Sequence, residues 1–251
     1  MPAPGQFILN KQVIPSELRS REWEAARVDY WRMERAFVMA GKVRFEDAQA
    51  CRNAAAALAN GKVSLIEARR AVREELERAG YRPTPGTAGT IKDIYTPRRL
   101  DVTLKTNVNM ARGYAEKNRL TGNAMYPASE LHRNRQSREP RDWQTRWNEA
   151  AAAVNYEGVA RDGSFIALND SPIWAALSRW RTPYPPFDYG SGMWWRPVKW
   201  RVAEKKGLVT DEDMARIESQ RPESFNHDVA LDTNIPVSYT HLRAHETLAN
   251  L

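Results

Sequence analysis

Residues Phe165–Val198 read FIALNDSPIWAALSRWRTPYPPFDYGSGMWWRPV. Within them Thr182–Tyr189 (TPYPPFDY) sets three prolines among three aromatic rings. Proline fixes φ and biases the residue before it toward extended geometry, so this segment has little conformational freedom. Gly190 and Gly192 then permit turns closed to other residues. The stretch reads as a rigid, packed loop, bounded by short strands at Phe165–Leu168 and Met193–Val198 and carrying a short helix over Ser171–Trp180 with Ser171 as its cap. Such a loop presents a shape. It has no Gly-rich phosphate cradle, no metal-ligand spacing and no nucleophile elbow.

Upstream of this block the chain is helical. Residues 1–15, with Pro2, Pro4 and Pro15, read as an extended arm. Ser16 is a candidate N-cap for a long helix to about Ala40. Leu18, Ala26, Tyr30, Met33 and Phe37 recur there at helical spacing as its core face, with Trp23 and Trp31 off that stripe. A second helix runs from Phe45 to about Asn60, ended by Gly61. Ser64-Leu65-Ile66-Glu67 is a capping box opening a third, which runs to about Ala79. Thr84–Thr90 (TPGTAGT) is turn-rich. Thr96-Pro97 starts a fourth helix with a cap followed by proline, and Gly122 stops it. Beyond Gly122, prolines divide the chain into short pieces: helices at Asp142–Val154, Trp200–Lys206 and Thr210–Ser219. The fold class is an α-rich α+β one. Its organisation is an arm (1–15), a helical domain (16–122), a compact α+β domain (123–209), and a trailing helix with a truncated end (210–236).

The aromatic block resembles the C-terminal part of the phage Mu F-like minor head proteins, the head-morphogenesis family of tailed phages, in its branch with a PPFD--SGM pattern. The residues that carry the likeness are Ile166–Leu168, Asp170, Pro172–Trp174, Leu177–Arg179, Pro183, Pro185–Asp188 and Ser191–Met193, followed by Ala203, Glu204, Gly207 and Leu208. Upstream, Arg35-Ala36-Phe37, Thr106-Asn107, Gly113-Tyr114, Tyr126-Pro127-Ala128 and Pro140-Arg141-Asp142-Trp143…Arg146-Trp147 fit as well, so the likeness spans roughly Ser16 to Leu208. A better-known branch carries a Cys-Arg-Cys near its end, which this chain lacks, so no metal or redox role is carried over. The resemblance implies a minor head protein that meets the portal and the capsid interior during head assembly. That places it in the host cytoplasm and then in the virion head. Its mode of action would be binding, without catalysis and without a cofactor.

The last fifteen residues stand apart. Val237–Thr247 (VSYTHLRAHET) is what one frame of a common transposon-based sequencing adapter encodes, and Asn250-Leu251 fits the adapter's resumption. Residues 237–251 are therefore expected to be an assembly scar, with the natural chain continuing past Pro236. His241 and His245, four apart like a helical zinc pair, are set aside with it.

Composition narrows the partners. The 251 residues carry a net charge of +7 and 42% hydrophobic residues, with nine tryptophans and one cysteine. Cys51, in an alanine-rich run, cannot form an internal disulfide and reads as a buried, inert thiol. No apolar run approaches the roughly 18 residues that span a membrane. Between Arg98 and Arg146 eleven Lys/Arg face five Asp/Glu, so +6 of the +7 lies in that zone. On the fourth helix Arg98, Lys105, Arg112 and Arg119 are seven apart and share nearly one face, opposite the apolar stripe Leu100, Leu104, Val108, Ala111 and Ala115. These four cations are candidate contacts for an anionic partner, either DNA phosphates or an acidic protein surface. A solvated surface face, partly neutralised by Asp101 and Glu116, is the plainer alternative.

The sequence carries no other catalytic constellation. With the tail removed, His132 and His227 are dispersed and no cysteine lies near either. Ser191, between Gly190 and Gly192, is a turn serine. Asp170 and Asp188 could be drawn as an acid/base pair, but both sit in turns where a short carboxylate bonds local amides. Trp174, Pro185, Pro186, Phe187, Asp188, Ser191 and Gly192 are thus expected to form a structural motif. Two other classes stay open. One is a nucleic-acid-binding protein using the Arg98–Arg146 zone. The other is the N-terminal part of a larger protein whose C-terminal, toxin-like enzymatic domain is missing.

Overall fold

The computed structural model describes residues 3–14, 34–39, 44–135, 141–156 and 164–222. They form an α-rich α+β fold. The chain divides into two units, the boundary falling between Val108 and Asn109, inside a helix; the sequence reading places the change at Gly122.

In the first unit, Pro4 opens helix α1 (Pro4–Leu9), where its missing N–H costs nothing. Of the expected extended arm (1–15), the described residues 3–14 are not one: α1 buries Phe7 and Ile8, and strand β1 (Gln12–Ile14) follows. β1 pairs in parallel with β2 (Ala36–Val38), Val13 opposite Phe37. The predicted Ser16–Ala40 helix thus ends as strand at Ala36–Val38; Leu18, Trp23, Ala26, Tyr30, Trp31 and Met33 lie outside the described residues.

Helix α2 (Phe45–Ala59) turns an alanine face inward, and small side chains let α1 approach closely. A Cβ on Gly5 would stand 2.5 Å from the Ala56 carbonyl oxygen, while the Gly5 N–H donates to Asn60 Oδ1 at 2.9 Å. Cys51 is fully buried, and that burial pushes its thiol up to about 12. The capping box of α3 (Leu65–Arg78) is present in both halves, the Glu67 N–H donating to Ser64 Oγ and the Ser64 N–H to Glu67. Between α3 and α4 (Pro97–Leu120) the turns hang on one buried carboxylate. Asp93 accepts from the Gly89 N–H, the Tyr95 N–H and the Tyr81 hydroxyl. Thr96 Oγ1 accepts from the Arg99 N–H at 3.3 Å, the cap expected ahead of Pro97.

The second unit is built on a three-stranded antiparallel sheet in the order β4-β3-β5, with β3 (Ala128–Arg133), β4 (Ile166–Leu168) and β5 (Met193–Val198). The register sets Ala128 against both Leu168 and Val198, and Leu131 against Trp195. Helix α5 (Trp143–Ala153) is capped by Asp142, which accepts from the Thr145 N–H at 3.0 Å. Helix α6 (Ile173–Leu177) is shorter than the expected Ser171–Trp180; Pro172 is its N-cap residue, and Ser171 Oγ accepts from the Ile173 N–H at 3.4 Å. Helices α7 (Trp200–Lys205) and α8 (Asp211–Ser219) complete the unit. Gly122, at φ +72°, stops α4 as expected, and its missing side chain matters further: a Cβ there would lie 2.6 Å from the Gln220 carbonyl oxygen.

Candidate functional site: the proline-aromatic loop and its arginine clamp

Trp174 sits fully buried at the centre of the second unit's core. Its ring stacks on Phe187 at 5.7 Å and meets Trp147 and Trp195 edge-on at 5.5 and 5.2 Å. Its indole N–H donates to the Leu168 carbonyl at 2.8 Å, so the polar end of the ring is satisfied by the sheet edge. Pro185, Pro186 and Phe187 are buried with it. The loop is held from the helix side as well. Tyr184 packs edge-on against Tyr114 at 5.9 Å, and the Pro185 carbonyl oxygen would lie 1.7 Å from a Cβ on Gly113. Gly113 is there because the loop backbone rests directly on α4.

Asp188 is the electrostatic centre of the loop. Its side chain is 6% exposed. Oδ1 accepts from the Tyr189 N–H at 2.7 Å, the local turn bond expected of it. Three arginines surround the same carboxylate. Arg146 Nη1 donates to Oδ2 at 2.8 Å, Arg179 Nη1 lies 3.5 Å from Oδ1, and Arg141 Nε lies 3.6 Å from Oδ2. Arg146 also donates to the Leu177 and Phe187 carbonyls at 3.0 and 3.3 Å, and its guanidinium covers the Trp143 ring at 4.8 Å. Arg141 donates to the Tyr189 carbonyl at 2.8 Å. Three guanidiniums on one carboxylate leave the loop's surround net cationic. Local spacing cannot reveal this set, because its members come from the approach to α5, from α5 itself and from the segment after α6. The signal available was the Arg-Asp-Trp…Arg-Trp order, in which arginine and tryptophan fall on one helical face.

Ser191 and Gly192 also hold the loop's exit. Ser191 accepts from the Met193 N–H at 3.2 Å, as a turn serine does. Gly192 at φ +66° leaves room for the Arg135 carbonyl oxygen, which would be 2.3 Å from a Cβ. Asp170 departs from expectation. Its partners are side chains of α8 and its C-cap: Arg216 pairs with it, and Gln220 Nε2 donates to it at 2.6 Å.

Arg98, Lys105, Arg112 and Arg119 are all exposed on α4, while Leu100, Leu104, Val108 and Ala111 are buried. Two of the four are already paired, Lys105 with Asp101 at 2.9 Å and Arg119 with Glu116 at 2.6 Å. Asn107, mid-helix, donates its side-chain amide within its own helix to the Thr103 carbonyl at 2.9 Å. His132 lies on β3, and His227 is outside the described residues. Among the described residues no cluster of His, Cys, Asp and Glu is placed to hold a metal, and no helix is long and apolar enough to cross a membrane. The chain matches no protein-family model, no curated protein and no solved structure.

Proposed function

We propose that this chain is a minor head protein of a tailed phage or prophage, of the kind the Mu F-like family comprises. In this reading it works by protein–protein contacts at the portal and capsid interior, first in the host cytoplasm and then in the virion head. The observation that carries the reading is the use of the pattern residues. Trp143, Arg146, Trp147, Trp174, Arg179, Phe187 and Asp188 are scattered over some 45 positions, yet all belong to one aromatic core and one arginine clamp. A pattern whose members pack on each other specifies a shaped surface. Asp188, the best-placed carboxylate, has both oxygens engaged by a backbone amide and guanidiniums, which suits a structural counterion better than a general base.

The test is to isolate heads and portal complexes from induced cells of the encoding strain and to identify their proteins by mass spectrometry. This chain is expected in both. Its absence from both overturns the reading. The exposed face of α4 supports a second reading, contact with DNA. Replacing Arg98, Lys105, Arg112 and Arg119 with glutamine separates the two. For DNA, affinity falls and the salt slope flattens by up to about four contacts' worth; for a portal contact, co-purification is lost and DNA binding is weak in the parent too.

A further inference from the structure

A groove of about 350 Å³ opens on the second unit where the turn before β3 meets the start of α7 and one face of α8. Met125, Trp200, Val209 and Met214 give it an apolar lining. Met125 is 62% and Trp200 38% exposed, and they are two of the three large hydrophobic side chains that this unit leaves exposed among its described residues. The Trp200 N–H donates to the Met125 carbonyl at 3.0 Å, so the two sit side by side by construction. Apolar side chains exposed together in a concave patch mark an interaction site more often than scattered single ones do.

The charge around the groove is opposite to that of the chain. The whole protein carries +7, yet among the described residues the ionisable side chains lining the groove, Glu204, Asp211 and Glu218, are all acidic and all exposed. Arg201, beside it in sequence, lies over the Trp200 ring at 5.7 Å. Such a rim repels phosphate and attracts cations. Asp211 and Glu218 are seven residues apart on α8, about 10 Å along its axis, so they can meet basic residues two turns apart on a helix lying alongside.

We propose that this groove receives a cationic amphipathic helix of a partner protein. The helix seats its apolar face on Met125, Trp200 and Met214 and directs Lys/Arg to Glu204, Asp211 and Glu218, the helix-in-groove mode of recognition.

The probe is a fluorescein-labelled amphipathic helix of about four turns made of leucine and lysine, compared with its leucine–glutamate counterpart, by fluorescence anisotropy on the full chain. The lysine peptide is expected to bind and the glutamate peptide is not. Glu204→Gln with Glu218→Gln is expected to weaken binding at least about 5-fold, with the remaining affinity less sensitive to salt. Met125→Ser is expected to weaken it at least about 10-fold. All three side chains are exposed, so both variants are expected to melt with the parent. Equal binding of the two peptides overturns the proposal, as does lysine-peptide binding unchanged in both variants. Sedimentation velocity covers the remaining occupant: a parent dimer that Met125→Ser dissolves would mean that a second copy fills the groove, and would also overturn it.

Discussion

Arg146 Nη1 donates to Asp188 Oδ2 at 2.8 Å, joining residues 42 apart in sequence. Two half-exposed guanidiniums, Arg141 and Arg179, stand by at 3.6 and 3.5 Å. One short charge-assisted bond and two longer Coulombic contacts do not weigh equally. The clamp is therefore an Arg146–Asp188 pair with a cationic surround. Asp188→Asn keeps an acceptor for the Tyr189 N–H but removes the counter-charge that three arginines share, and is expected to cost about 2–3 kcal/mol. Arg146→Lys keeps the charge but loses the fork that also reaches the Leu177 and Phe187 carbonyls, and is expected to cost about 1–2 kcal/mol. Urea unfolding measures both. An Asp188→Asn protein as stable as the parent yet inactive in head assembly would assign the carboxylate a chemical role instead.

Gly113→Ala isolates how the loop meets α4. On an open helix face this change stabilises by up to about 1 kcal/mol. Here the new methyl would lie 1.7 Å from the Pro185 carbonyl oxygen, and loop backbone cannot move aside as a flexible side chain can. A net loss of about 1–3 kcal/mol is expected. A gain in the thermal melt would mean that the loop does not rest on the helix.

Phe187→Ala removes the ring stacked on Trp174 and opens a cavity under the loop. The expected cost is about 3–5 kcal/mol, a large share of a domain's stability. Replacing Arg98, Lys105, Arg112 and Arg119 together with glutamine touches only exposed side chains and two surface ion pairs. It is expected to cost about 1 kcal/mol or less in total. The reverse ranking in denaturant midpoints would show that the loop is peripheral to the fold.

Helices α2 to α5, α7 and α8 were legible because their signals are local. Ser64 with Glu67 and Thr96-Pro97 each declare a helix start within four residues, and each is a cap in the structure. Strand β3 was missed because Ala128–Arg133 (ASELHR) has no β-branched residue and no clean alternation. It is the central strand through its neighbours, Leu131 facing Trp195 on one side and Ala128 facing Leu168 on the other. Ala36-Phe37 looked helical because Phe37 continues a helical stripe with Met33. Its pairing with Val13 crosses a stretch of chain that no local pattern bridges. Asp188 was legible as a turn residue and illegible as an ion-pair centre for the same reason: the turn is local, and the arginines are brought by the topology.

Lys11 is buried to 2% exposure against the Phe7 ring, its Nζ 4.9 Å from the centroid. Burial lowers its pKa to about 8 from 10.5, with Glu34 pulling the other way. The sign follows from proton counts. Below about pH 8 both folded and unfolded chains hold the proton, and the folded state bears the cost of a buried cation. Between about 8 and 10.5 the folded lysine is neutral while the unfolded one stays charged, so stability rises with pH. The gain over that window is on the order of 3 kcal/mol. Surface lysines and tyrosines titrate in the same range, so the comparison is with Lys11→Met, which keeps their contribution and removes this one. The parent's stability relative to Lys11→Met is expected to climb from pH 7.5 to pH 10 in urea titrations. Parallel pH profiles for the two proteins would mean that Lys11 keeps its charge throughout, held by Glu34.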